Sequence, residues 1–322
     1  EQPRIRLALG KIHLLKGEYP EGLRALEEGL HLLSSGGSKG HHRDQEALLM
    51  ELGRGLAHQC QFQRGIAMLQ SAQRLLEHHQ DHQGLVSADI TLGQIYQAQG
   101  HPDASHTLLR EALHQARSHG DLSLQAQAHL ALGAYRSLQH NLGPALSHLQ
   151  RAEERFHRMG DITLTTHTRV WQARTLAALG DTVQAEHTLL QALSMPRQDL
   201  TPMEHGDQIF LQGEMAGFQS AWRDAARLYH KSAALFGPAG LVWRQRMAQL
   251  RAGQSEALAS LGSRGDASGL EEAWSMLESL KGPVEGAGSR WLELEWHRAH
   301  ALLLNTAGDE EVVVAETLMA WG

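Results

Sequence analysis

The chain has 322 residues and a net charge of -7 with neutral histidines; 42% of its residues are hydrophobic and only 5% aromatic. This charge gives no general basic field, so we expect no direct nucleic-acid binding by this segment. No apolar run approaches the ~20 residues of a membrane span, so we expect no membrane partner. The sole cysteine, Cys60, has no partner for an intrachain disulfide, which favours a reducing, cytoplasmic location.

A small residue recurs early in the second helix of each predicted helical hairpin. A large residue follows four positions later and a mostly small one seven positions later, so the three share one helical stripe. Alternating small and large residues let two helices approach closely. The recurring positions are Gly22, Gly65, Ser105, Ala145, Ala185, Ala225, Ala273 and Val313, at intervals of 43, 40, 40, 40, 40, 48 and 40.

Eight hairpins follow in chain order. The first covers Pro3–Leu33, the second to fifth His41–Pro202, and the sixth Met203–Phe236. Two irregular hairpins over 241–322 follow the regular repeats of 1–236. Repeat seven has about eight extra residues. They either lengthen its first helix, Val242–Leu261, or enlarge the turn Gly262–Gly269, and the sequence leaves both open.

Glycine and aspartate at the predicted helix ends indicate short turns between antiparallel helices. Gly suits the left-handed residue that ends a helix, and Asp can cap the next helix. Gly120–Asp121 and Gly160–Asp161 lie between hairpins, 40 residues apart. Gly180–Asp181 has the same role within a hairpin, and Gly143–Pro144 is expected to provide a variant of it.

These residues resemble the tetratricopeptide repeat (TPR). The family pattern of a Leu-Gly pair, an aromatic, a Gly, then Ala, a large residue and Ala is matched by Leu92-Gly93, Tyr96, Gly100, Ser105, Leu109 and Ala112. The 40-residue period with a Gly-Asp linker resembles the long-repeat branch. That branch includes Pins-type adaptors, kinesin light chains and the arrays of bacterial MalT-type regulators.

The resemblance implies an all-α fold, a superhelical α-solenoid of about eight TPR-like helical hairpins forming a single body over 1–322. Its first helices line a concave groove that binds a protein or peptide ligand. Because the sequence begins with Glu1 rather than Met, we expect a piece of a longer protein. The apolar end of the chain favours possible self-association through the C-terminal repeats.

Successive first helices should place the residue after the small Gly or Ala in a ladder across this groove. Pins-type adaptors carry Asn there, whereas this chain has Lys11, Arg54, Gln94, Ala134, Arg174 and Glu214. The Lys, Asn and Arg clamp of chaperone-binding members is also missing where we would expect it, at Leu7, Lys11, Glu51, Ser87 and Thr91. Ligands typical of those two groups are therefore not expected.

The predicted ligand-binding residues of the groove are Lys11, Arg54, Gln94, His167, Arg174, Glu214, Met50 and Phe218. Met50 and Phe218 are apolar at helical spacing, and such residues more often pack in the core. Arg54 and Arg174 are favoured, because a charge beside a tight helix contact is costly unless it reaches a groove or partner. Pairing with an acid of an adjacent helix, such as Glu51 or Glu214, is the alternative.

No catalytic constellation is visible, because nucleophile-elbow, HExxH, dinucleotide and kinase motifs are all missing. The chain has 22 histidines, and His78, His79 and His82 have helical spacing, but no carboxylate or thiol set converges on them. We therefore expect no catalytic residues, no metal site and no cofactor.

The sequence thus predicts a non-catalytic protein- or peptide-binding module. It would be the sensor, regulatory or scaffold part of a larger signalling or transcription-regulating protein. The alternative is a purely structural scaffold that spaces or oligomerises its parent.

Overall fold

The computed structural model describes residues 2–35, 42–194, 202–262 and 267–307. The described residues form fifteen α-helices and no strand. The helices are α1 (Gln2–Lys16), α2 (Tyr19–Ser35), α3 (His42–His58), α4 (Phe62–His78), α5 (His82–Gln99), α6 (Pro102–Ser118), α7 (Leu122–Leu138), α8 (Leu142–Met159), α9 (Ile162–Ala178), α10 (Thr182–Leu193), α11 (Pro202–Phe218), α12 (Trp222–Phe236), α13 (Val242–Gly262), α14 (Ala267–Glu285) and α15 (Arg290–Ala307). The all-α prediction is confirmed.

The second helix that the sequence predicts around Val313 lies outside the described residues, as do the apolar C-terminal residues. In the part of the chain that is described, no helix has both the length and the apolarity that a membrane crossing needs.

Two compact units divide the chain. The first consists of Glu1–Leu14, Glu21–Ala57 and Phe62–Asp199, and the second of Leu15–Pro20, His58–Gln61 and Leu200–Gly322. In the first unit, α5 to α10 pack in chain order, and the first helices α5, α7 and α9 also contact one another. In the second unit, α11 to α15 pack in chain order and α13 also contacts α15. A single solenoid over 1–322 stays a prediction.

Left-handed residues follow many of the helices at positions that are multiples of twenty. Between residues 60 and 240 of the described chain, these residues are Cys60, Gln80, Gly100, Gly120, His140, Gly160, Gly180, Ser220 and Gly240, whereas Gly17 and Gly288 are left-handed outside this series. The next residue donates its N–H to the carbonyl five positions back, as Asp121 does to Ala116 at 3.0 Å. This is the Schellman arrangement. Where the series is regular, each helix with its turn therefore occupies twenty residues, and two of them make the 40-residue period.

Aspartate caps begin several of the helices, as predicted for Asp121, Asp161 and Asp181. Each accepts the N–H of the residue three positions on at 2.9–3.0 Å. Asp81 caps α5 in the same way, at 2.9 Å. The cap expected from Gly143–Pro144 is wrong, because these residues lie inside the first turn of α8, after the left-handed residue of that turn.

Several hairpins close on a contact between a glycine and a leucine sixteen positions later. A Cβ on Gly53, Gly93 or Gly133 would lie only 2.6–2.7 Å from side-chain atoms of Leu69, Leu109 or Leu149. Those three leucines are fully buried. The alternation of small and large residues therefore sets how closely the two helices of a hairpin approach.

Repeat seven accommodates part of its extra length in its first helix. Helix α13 has 21 residues, whereas α3, α7 and α9 have 17 each. This agrees with one of the two possibilities that the sequence left open. Residues 263–266, half of the turn that represents the other possibility, lie outside the described residues.

Candidate ligand-binding face

Polar bridges link successive first helices of the first unit, whose common surface we call the first-helix face. Between α1 and α3, Lys11 Nζ lies 3.6 Å from Glu51 Oε1. Between α3 and α5, Arg54 Nη2 donates to Ser87 Oγ at 3.3 Å. Between α7 and α9, the Thr175 hydroxyl lies 2.9 Å from Ser137 Oγ, so polar groups of adjacent repeats meet along this face.

Glu51 joins two of the predicted groove residues. Its Oε1 lies 3.6 Å from Lys11 Nζ and 3.5 Å from Arg54 Nη1. The Arg54 side chain remains 42% exposed, and such exposed pairs contribute only ~0–1 kcal/mol. Glu51 and Ser87 therefore orient the Arg54 guanidinium while leaving much of it accessible. Glu51 is one of the two acids named in the pairing alternative, but it lies one turn earlier on the same helix as Arg54 rather than on an adjacent helix.

Arg174 lies over an aromatic ring that the sequence analysis missed. Its guanidinium carbon is 5.4 Å from the ring centroid of Trp171, three residues earlier on α9, which is a cation–π arrangement. Trp171 packs against the buried cluster that contains Leu130 and Phe156. This packing anchors the ring, and the ring in turn restrains Arg174. The i, i+3 spacing of the aromatic and the arginine was the available sequence signal.

The other predicted residues differ in exposure. Gln94 and His167 are exposed, whereas Met50 is buried at 8% exposure. Glu214 is buried and Phe218 half-buried, and both lie on α11 in the second unit. The structure thus joins Lys11 and Arg54 through Glu51, and ligand contact by any of the eight residues stays a prediction.

Glu214 belongs to a buried charged group in the second unit. Burial lowers the pKa of the Arg251 guanidinium, but the charges of Glu295, Tyr229 and Glu214 outweigh it and raise that pKa overall. Arg251 Nη2 lies 3.6 Å from Glu295 Oε2. The charge of Glu214 on α11 therefore acts on Arg251 of α13.

The cysteine and the histidines considered above as candidates for thiol or metal chemistry lie in defined environments. Burial raises the pKa of the Cys60 thiol to about 11, with Arg246 opposing it, so Cys60 is a neutral thiol at pH 7. His79 lies against Glu46, and His82 stacks on His119. Among the described residues, no three His, Cys, Asp or Glu side chains form a group that could hold a metal ion.

The sequence analysis missed one position of the repeat that is occupied by ionisable residues. Leu49 is followed at 40-residue steps by Asp89, His129 and Arg169. Asp89 and His129 are buried. All three ionisable residues bond to a neighbouring second helix: Asp89 to Gln73 at 2.6 Å, His129 to His148 at 2.8 Å and Arg169 to Glu153 at 2.6 Å. Ionisable residues at the place of a buried leucine were the missed signal.

No family model matches the chain, and no curated protein matches it. Several solved structures match the chain in fold. A Rap protein complexed with Competence and Sporulation Factor is 14% identical, with 100% of this chain and 97% of that chain covered and a TM-score of 0.64. The apo form of RapI is 10% identical, with 81% and 99% covered and a TM-score of 0.54.

A signal-transduction ATPase (STAND) protein with a tetratricopeptide repeat sensor, from Pyrococcus horikoshii, is 13% identical with a TM-score of 0.54. It matches over 98% of this chain but only 46% of its own, so this chain spans less than half of that protein. The chain has a TPR-like helical-repeat fold. The TPR resemblance is confirmed at the level of fold, and a specific likeness to MalT-type regulators or Pins-type adaptors stays a prediction.

Proposed function

We propose that this TPR-like chain is a non-catalytic peptide-binding regulatory module, the sensor part of a larger cytoplasmic signalling or transcription-regulating protein. The observation that carries the proposal is the setting of Arg54 on the first-helix face. Glu51 and Ser87 orient its guanidinium, yet the side chain is 42% exposed. A cation held in place and still accessible suits ligand recognition.

The ligand that fits this face is an extended peptide with at least one carboxylate. Arginine can bind a carboxylate through two parallel hydrogen bonds, which fixes orientation as well as charge. Arg174, restrained by Trp171, is a second cation on the same face. Polar groups between α1, α3 and α5 and between α7 and α9 offer further partners for a peptide backbone.

The structural neighbours support a regulatory role. One is a Rap protein complexed with Competence and Sporulation Factor, and another has a tetratricopeptide repeat sensor in a signal-transduction ATPase. A complex with such a factor and a sensor made of such repeats are consistent with a binding face built from repeated helices.

A peptide-display screen against the whole chain, followed by affinity measurement of the selected peptides, tests the proposal. We expect acidic peptides to be selected, and Arg54→Ala with Arg174→Ala to weaken them about tenfold or more. Arg64→Ala is the matched control, because Arg64 pairs with Glu27 on the second helices. Unchanged peptide affinity in the double variant, with a lowered melting temperature, would show that these arginines are structural.

A further inference from the structure

Five arginines converge on one surface of the first unit, which we call the α6–α8 cationic surface. Arg110 and Arg117 are seven residues apart on α6, and Arg151 and Arg155 are four apart on α8, so each pair lies on one helical stripe. Arg136 lies on α7, between those two helices in the chain. Four of the five arginines lie on the second helices α6 and α8, whereas the first-helix face is built on first helices.

Direct contacts show that the three helices bring these stripes together. Nη2 of Arg117 on α6 lies 3.4 Å from Nε2 of His129 on α7. The Nδ1 atom of His129 lies 2.8 Å from Nδ1 of His148 on α8. His148 occupies the same stripe as Arg151 and Arg155, at i, i+3 and i+7. His129 is fully buried and forms the floor of the surface.

No carboxylate neutralises these arginines. Among the described residues, none of the five has a carboxylate oxygen within 4.0 Å. The acids of α8 are committed elsewhere, since Glu153 bonds to Arg169 at 2.6 Å and Glu154 lies 3.9 Å from Arg158. Asp103, which acts electrostatically on His106, lies at the start of α6. The surface therefore carries a concentrated positive charge, although the chain as a whole is acidic.

The interior of this surface also contains unsatisfied hydrogen-bonding atoms. His106 Nε2 and Arg136 Nε are buried and have no hydrogen-bond partner. Burial and then neighbouring positive charges lower the pKa of His129 to about 3 and that of His148 to about 4, so both imidazoles are neutral at pH 7. Unpaired buried polar atoms are costly, and an acceptor that reaches the Arg136 Nε–H donor removes its share of that cost.

We propose that the α6–α8 cationic surface binds a small ligand with two linked phosphoryl groups. Arginine forms strong paired hydrogen bonds with phosphate oxygens. A phosphate monoester carries roughly -1.5 to -2 charges at pH 7, so two phosphoryl groups approach the charge of the five arginines, whereas two carboxylates do not. The stripe from Arg110 to Arg117 spans about 10 Å at 1.5 Å per residue, which is long enough for two such groups.

Calorimetric titration of the whole chain with inorganic pyrophosphate at constant ionic strength tests this proposal. We expect binding, and we expect succinate, a dicarboxylate, to bind at least about tenfold more weakly. Orthophosphate should lie between the two. The double substitution Arg151→Gln, Arg155→Gln should weaken pyrophosphate binding about tenfold or more. It removes repelling charges, so the ligand-free double variant should unfold at an equal or higher temperature.

Arg158→Gln is the matched control, because Arg158 is on α8 but pairs with Glu154. It should leave pyrophosphate affinity within about twofold. The proposal is overturned by an absence of pyrophosphate binding at millimolar concentrations, by equal affinity for succinate, or by equal losses in the double variant and in Arg158→Gln. None of these outcomes bears on peptide binding by the first-helix face.

Discussion

The Nδ1 atoms of His129 and His148 lie 2.8 Å apart, one on α7 and one on α8. A hydrogen bond between two Nδ1 atoms requires one of them to be an acceptor, so the two imidazoles cannot both be protonated while it persists. Burial and the charges of Arg117 and Arg151 favour the neutral forms and lower both pKa values. The pair is therefore a built-in source of acid sensitivity.

We predict that His129→Gln makes unfolding less sensitive to pH between 5 and 7. The unfolded histidine has a pKa near 6.5, and burial lowers the folded-state pKa of His129 to about 3. The unfolded state thus binds more protons in this range, and stability falls as the pH falls through 6.5. After allowance for solvent screening, His129 should account for about 1 kcal/mol of that loss at pH 5. Urea titrations at pH 5, 6 and 7 measure it.

His114→Gln is the control for this experiment, because His114 is exposed on the neighbouring helix α6. It should leave the pH dependence close to that of the parent chain. An equally steep loss of stability in the His129→Gln variant would contradict the prediction.

Asp89 should have the opposite effect on stability. Burial raises its pKa to about 6, the hydrogen bond from Gln73 lowers it, and the charges of Glu111 and Glu77 raise it further. The folded state then binds the extra proton, and the stability that Asp89 contributes is lost as the pH rises through 6. Asp89→Asn keeps the acceptor for Gln73 and should stabilise the fold at pH 7.5 by about 1 kcal/mol, after allowance for solvent screening. If the stability that Asp89→Asn gains over the parent chain is no larger at pH 7.5 than at pH 5, Asp89 does not carry a buried charge at the higher pH.

The sequence predicted the features that depend on a single repeat. Gly93 of α5 packs on Leu109, and the aspartates after Gly120 and Gly160 cap the following helices. Each of these contacts joins residues at a fixed spacing in the repeat. Side-chain hydrogen bonds from first helices to second helices were missed. Asp89 and His129 occupy one position of the repeat, yet Asp89 bonds to Gln73 on the preceding helix α4 and His129 to His148 on the following helix α8, because the polar side chains of the facing second helices differ between repeats.

The error at Gly143–Pro144 has a similar physical cause. Glycine and proline together usually indicate a turn, but here the turn is completed by His140 in the left-handed region at φ 53°. Proline is tolerated in the first turn of a helix, so both residues fit inside α8. The twenty-residue spacing of the turns, which was not used, would have placed the left-handed residue at 140.

We predict that Gly93→Ala destabilises the fold by about 1–3 kcal/mol, through overpacking. A Cβ there would lie 2.7 Å from Leu109 Cδ2, and Leu109 is fully buried. Gly217→Ala is the comparison, because its Cβ would meet nothing nearer than Trp222 at 3.6 Å. That substitution should stabilise α11 by up to about 1 kcal/mol through helix propensity. Equal effects of the two in thermal unfolding would be inconsistent with a packing role for Gly93.

Gln80→Gly should stabilise the turn between α4 and α5. Gln80 has a φ of 57° and is exposed. A residue with a Cβ is strained in the left-handed region by roughly 1–2 kcal/mol, of which the greater entropy of unfolded glycine offsets a part. We therefore expect a gain of about 0.5–1 kcal/mol. Gly120→Ala, at φ 69° with nothing within 4 Å of its Cβ, should lose a similar amount. Chemical denaturation should show that Gln80→Gly raises the free energy of unfolding and that Gly120→Ala lowers it; changes of the same sign would contradict the prediction.

The last prediction separates a binding role of Arg54 from a structural one. Glu51 contacts both Lys11 and Arg54, so a peptide carboxylate at this face must compete with it. Glu51→Gln removes the competing charge and should strengthen acidic-peptide binding about threefold or more, while stability changes by less than ~1 kcal/mol because the pairs are exposed. Glu154→Gln, which frees Arg158 on α8, is the control and should leave peptide affinity unchanged. If Glu51→Gln leaves peptide affinity unchanged or lowers it, the carboxylate of the ligand does not replace Glu51 at Arg54, and the site must lie elsewhere on the first-helix face.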